Sequence, residues 1–197
     1  MRTALSCILS LLPAAAFGAP WIVISEIHFH PPGAAEEAAK EEFVEIVCRE
    51  APRVDLTAWT IGGEVAFQFP AGTWIQPGEY MVIARDPKAF AERHPGAGRI
   101  LGPFQGALDN KGGSVILHNR SGAIACAARY GEDGRWPASV GGTGHTLSIR
   151  DTFLDSARPE SWAPSRRIGG TPGAENFPTI EVPSTPIVPK GAAWRYL

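Results

Sequence analysis

The stretch from Trp21 to Pro32, Trp-Ile-Val-Ile-Ser-Glu-Ile-His-Phe-His-Pro-Pro, restricts the fold more than any other part of the chain. Five of its first seven residues are apolar and several are β-branched or aromatic, which predicts a strand buried on both faces at its start. Regular alternation from Ile24 puts Ile24, Glu26, His28 and His30 on one face and Ser25, Ile27 and Phe29 on the other, until Pro31-Pro32 ends the strand. A carboxylate inside a buried strand needs a partner. Glu42 to Cys48 (Glu-Phe-Val-Glu-Ile-Val-Cys) has the same construction, with Phe43, Glu45 and Val47 on one face and Val44, Ile46 and Cys48 on the other. The two are the expected organising pair.

Residues 1–18 stand apart from the fold. Arg2, the apolar run Ala4 to Ala16 and the small-x-small site Ala16-Phe17-Gly18 predict a secretory signal peptide, hence a secreted or cell-surface chain. No second apolar run approaches the roughly 20 residues of a spanning helix, so no membrane span is expected in the mature chain. The formal charge of −2 becomes −3 when Arg2 leaves with the signal, and no basic run stands out. A nucleic-acid partner is therefore not expected. Cys48 and Cys126 remain after cleavage, and in an oxidising compartment they form either one disulfide or two separate buried thiols. The sequence leaves that choice open.

Gly 22 and Pro 18 in 197 residues punctuate the chain into many short strands. Gly33 to Lys40 reads as a loop, Val54 to Ile61 as a turn and strand burying Trp59, and Gln76-Pro77-Gly78 as a turn between strands. Asp86-Pro87 supplies a cap and a first-turn proline, predicting one short helix, Lys88 to Arg93. Ser114 to His118 and Ala123 to Tyr130, joined by Asn119-Arg120-Ser121-Gly122, form the plainest hairpin. Thr146 to Arg150 is expected as the last strand, with irregular chain to Asn176 anchored by Trp162. The pattern predicts an all-β, antiparallel sandwich or barrel over residues 19–176. Residues 177–190 read as a proline-rich linker, and Gly191 to Leu197 as the opening of a further β domain in a longer multidomain protein.

From Ile22 to Asn176 the chain resembles the lamin tail domain, in its bacterial secreted branch. The resemblance rests on Ile24-Ser-Glu-Ile-His28, Glu42-Phe-Val-Glu-Ile46, Val54-Asp-Leu-Thr-Ala-Trp59, Phe69-Pro-Ala-Gly-Thr73 and Gln76-Pro-Gly-Glu-Tyr80 with Ala84-Arg-Asp-Pro87. It continues through Tyr130-Gly, Gly144-His-Thr-Leu-Ser148, Trp162-Ala-Pro-Ser165 and Gly169-Gly-Thr-Pro-Gly173. The resemblance implies an immunoglobulin-like β-sandwich that carries no catalytic residues or cofactor and contacts a protein or extracellular polymer. It equally admits an accessory domain of an extracellular nuclease, phosphoesterase or spore-coat-type kinase whose catalytic domain lies beyond residue 197.

The chemistry-bearing residues have two readings each. Glu26, His28 and His30 at alternate positions are the candidate metal ligands, against a structural reading in which Glu26 fixes backbone amides of a neighbouring loop. The second reading is preferred. Glu42, Glu45 and Asp109 offer carboxylates for calcium, yet Glu42 and Glu45 fall on opposite faces of a regular strand. Trp136, in the glycine-rich loop Gly131 to Gly144, is the candidate ligand contact. The chain has no Gly-x-Ser-x-Gly elbow, no His-Glu-x-x-His and no phosphate-cradling loop. No enzymatic activity is expected.

Overall fold

The computed structural model describes residues 21–49 and 52–178. The expected signal peptide, nearly all of the expected linker 177–190 and the expected further domain at 191–197 lie outside the described residues. In chain order the strands are β1 (Ile22–His28), β2 (Phe43–Cys48), β3 (Val54–Asp55), β4 (Thr60–Gly63), β5 (Val65–Gln68), β6 (Trp74–Ile75) and β7 (Tyr80–Ala84). There follow β8 (Arg99–Leu101), β9 (Gln105–Gly106), β10 (Gly112–His118), β11 (Ile124–Gly131), β12 (His145–Ile149) and β13 (Trp162–Ile168). Helix α1 spans Ala35–Ala39 and helix α2 spans Pro87–Arg93.

Six strands make one sheet in the order β13-β12-β1-β2-β7-β8, and five make the other in the order β11-β10-β4-β5-β9. The fold is an immunoglobulin-like all-β sandwich. β1 and β2 are the central antiparallel pair of the larger sheet, as their matching construction requires. Between the sheets lies one apolar core. Ile24, Ile27, Val44 and Ile46 from the larger sheet meet Ile61, Val115, Leu117 and Ala128 from the smaller one.

A bulge in β1 corrects the expected alternation. The pairing runs from Ile24 opposite Ile46 directly to Glu26 opposite Glu45, so Ser25 is an extra residue on its strand. Strict alternation would place Ile24 on the same face as a carboxylate and an imidazole. The bulge instead lets Ile24 join Ile27 and Phe29 in the main core, while Glu26 and His28 face the other side.

That other side is covered too. Phe43, Val82 and Ala84 form a second small core with Phe90 of α2 and with Ala97. Asp86 accepts hydrogen bonds from the Lys88 and Ala89 amides at the start of α2, which holds Phe90 on the sheet. Past β13 the chain turns back over the same face as a strap, residues 169–176. Coverage on both faces explains why every residue of β1 and β2 is buried.

Four expectations are corrected. Residues 35–39 form α1 rather than loop, so there are two α-helices and not one. Trp162 begins a strand of 7 residues rather than irregular chain, pairing β13 with β12 through Ile149 opposite Trp162. β7 and β8 run parallel, because α2 and its flanking turns carry the chain across before it re-enters the sheet. Trp59 is half-buried at the core margin, not enclosed. Among the described residues, no helix is long and apolar enough to cross a membrane.

Candidate functional site

Glu26 and Glu45 stand opposite each other on β1 and β2, both with no solvent exposure. Each is encircled by donors from its own chain. Glu26 Oε1 accepts from Thr146 Oγ1 and, at 2.8 Å, from Ser148 Oγ on β12. The Thr171 amide of the strap donates to both Glu26 oxygens at 3.2 and 3.3 Å. Glu45 accepts from Ser25 Oγ at 2.7 Å and from the Gly173 amide at 2.6 Å. Asn176 closes the strap, with Nδ2 donating to the Ser25 carbonyl at 2.9 Å and Oδ1 accepting from Thr171 Oγ1 at 2.7 Å. The bulge at Ser25 therefore serves this network: it brings a hydroxyl and a carbonyl to the strap.

Burial dominates the electrostatics. Removal from water pushes the Glu26 carboxyl up to about 7 against the pull of its three donors. The Glu45 carboxyl is also raised well above its ordinary value, first by burial and then by the Glu26 charge. Tyr80 beside them is pushed up to about 12 by burial and by Glu45, Glu175 and Glu26. Among the described residues, no cationic side chain is hydrogen-bonded to either carboxylate. A cavity of about 370 Å³ borders the network at Ser25, Tyr80 and Asn176.

The remaining candidates are dispersed. His28 is buried against the edge of the Phe43 ring, and neither ring nitrogen makes a hydrogen bond of acceptable geometry. Desolvation lowers it to about 4, with the nearby Glu41 backbone offsetting this only in part. His30 instead pairs through Nδ1 with Glu132 Oε2 at 2.9 Å. Among the described residues no three His, Cys, Asp or Glu side chains converge as a metal-holding group.

Glu42 takes the Leu108 amide at 3.0 Å and the Arg85 guanidinium at 3.1 Å, while Asp109 caps the Lys111 amide at 2.8 Å. Glu42 and Asp109 thus both brace the loop between β9 and β10, while Glu45 holds the strap. Burial raises the Glu42 carboxyl despite Arg85. Trp136 is half-buried, packed on the main core and lying over Gly131 closely enough that a Cβ there would sit 2.8 Å from its ring. Cys48 and Cys126 are both buried in the main core with no disulfide between them. Cys126 Sγ lies 3.7 Å from Ser156 Oγ.

The sequence singled out Glu26 and Glu45 but not the hydroxyls and strap that complete their setting. Glu26 and Thr146 are separated by 120 positions and Glu45 and Gly173 by 128, a proximity that no local pattern reports. The Gly169-Gly-Thr-Pro-Gly173 motif was the available signal. The family model described as Lamin Tail Domain matches residues 16–132, a span that contains Glu26 and Glu45 but not the strap they hold. No curated protein matches the chain.

Proposed function

The chain belongs to the lamin tail domain family, and from that premise we propose that it is a non-catalytic binding and structural module of a secreted or cell-surface multidomain protein. It contacts a protein or an extracellular polymer through loops mounted on a rigid sandwich. One observation carries the reading: the carboxylates that would do acid-base or metal chemistry, Glu26, Glu45 and Glu42, each accept a backbone amide of a distant loop of the same chain. Groups so engaged position backbone and are not presented to a substrate.

Two measurements test it. The full chain, purified and assayed against phosphomonoester and phosphodiester substrates, should show no turnover, while calorimetric titration with peptidoglycan or an anionic polysaccharide detects polymer binding. Turnover that survives purification and vanishes on replacing one exposed polar side chain would overturn the reading. For export, the N-terminus of protein recovered from the culture medium should begin at Ala19; retention of residues 1–18 in the cytoplasm would remove the secreted placement.

A further inference from the structure

We propose that the Glu26–Glu45 pair is a proton-operated latch on the strap, residues 169–176: protonation of the pair keeps the strap seated, and loss of the proton releases it. The inference is independent of what the module binds. Its basis is geometric. Two fully buried carboxylates face each other across adjacent strands, and the strap amides of Thr171 and Gly173 seat one on each.

Among the described residues the surroundings supply hydroxyls and amides, and no cationic side chain is hydrogen-bonded to either carboxylate; Arg150 lines the neighbouring cavity and donates instead to the Trp162 carbonyl. β12 contributes Thr146 and Ser148, β7 contributes Tyr80, and the strap itself carries Glu175. Just past the end of α2, His94 packs against Gly169, and burial and Arg93 both disfavour its charged form. Two adjacent charges in this setting repel each other, and the hydroxyl and amide donors offset their burial only in part. Opening the strap exposes them to water, so the ionised pair favours the open form.

The sign follows from linkage. A carboxyl held near 7 when closed and near its ordinary 4.5 when open binds its proton more tightly in the closed form. Closure is therefore strongest below about pH 4.5 and weakens as pH rises through about 7. The cavity at Ser25, Tyr80 and Asn176 gives water a route to the edge of the network.

Amide hydrogen exchange on the full chain reads the latch directly. After correction for the base-catalysed intrinsic rate, protection at Thr171 and Gly173 should fall roughly tenfold or more between about pH 5 and about pH 9, while amides of the β10–β11 hairpin hold theirs. The double variant Glu26→Gln with Glu45→Gln should make the strap's protection independent of pH. Unchanged strap protection in the unaltered chain, or a fall shared equally by the hairpin, overturns the proposal. Should the double variant not fold, the measurement on the unaltered chain still decides. A folded double variant that keeps the original pH dependence also overturns it.

Discussion

Glu26 occupies a position where an isoleucine would bury apolar surface without needing any partner. The network around it, with hydroxyls from β12 and an amide from the strap, offsets the desolvation of the carboxyl. Replacing Glu26 with Ala strands the Thr171 amide and two hydroxyls, and should destabilise the protein by roughly 2–4 kcal/mol in urea unfolding. A change below about 1 kcal/mol would show that water or relaxation replaces the carboxylate easily. His28 makes a contrasting case on the same strand. Its folded value of about 4 lies below the ordinary 6.5, so it stabilises the fold above about pH 6.5 and that contribution is lost as pH falls toward 4. Because both nitrogens lack hydrogen bonds, His28→Leu should be neutral or stabilising at neutral pH and should reduce the loss of stability below about pH 6. Thermal melts of the two proteins across acid pH check this; a large loss at neutral pH would show that the imidazole has a role in the fold.

At the scale of elements, α2 and the strap cover the outer face of the larger sheet by different means. α2 depends on a cap: Asp86→Ala removes the acceptor for two first-turn amides and should lower stability by about 1 kcal/mol, measured by denaturant unfolding. The strap depends on close approach. Gly170 adopts φ +81°, and a Cβ there would collide with the Glu26 carboxylate and Thr146. Gly170→Ala should therefore unseat the strap and destabilise by about 2 kcal/mol or more, with loss of Thr171 amide protection as its signature. Elements were legible in the sequence where the signal was local. Alternation marked β1, β2, β10 and β11, and Asp86-Pro87 marked α2. β3, β6 and β9 are two residues each, too short for any periodicity. β13 escaped because Pro164 and the exposed Arg166-Arg167-Ile168 interrupt a strand pattern, yet its edge position tolerates a proline. The bulge at Ser25 was invisible for another reason: it is set by what lies opposite and above, and β1's own pattern does not encode it.

For the whole molecule, opposing titrations shape stability. Between about pH 4.5 and 6.5, lowering the pH strengthens the fold through Glu26 and weakens it through His28. The melting temperature should therefore vary little across that interval and decline toward alkaline pH, where the Glu26 contribution has gone and His28 is already neutral. A steep rise between pH 7 and 9 would contradict this assignment.

The path of the strap also has a mechanical meaning. Tension applied beyond residue 178 reaches the contacts of Asn176, Gly173 and Thr171 before it reaches the ladder between β12 and β13. The carboxylate clamp thus acts as a fuse ahead of the sandwich, yielding first and letting out about 3 nm of chain while both sheets stay whole. Alkaline conditions should lower the force at which that first step occurs.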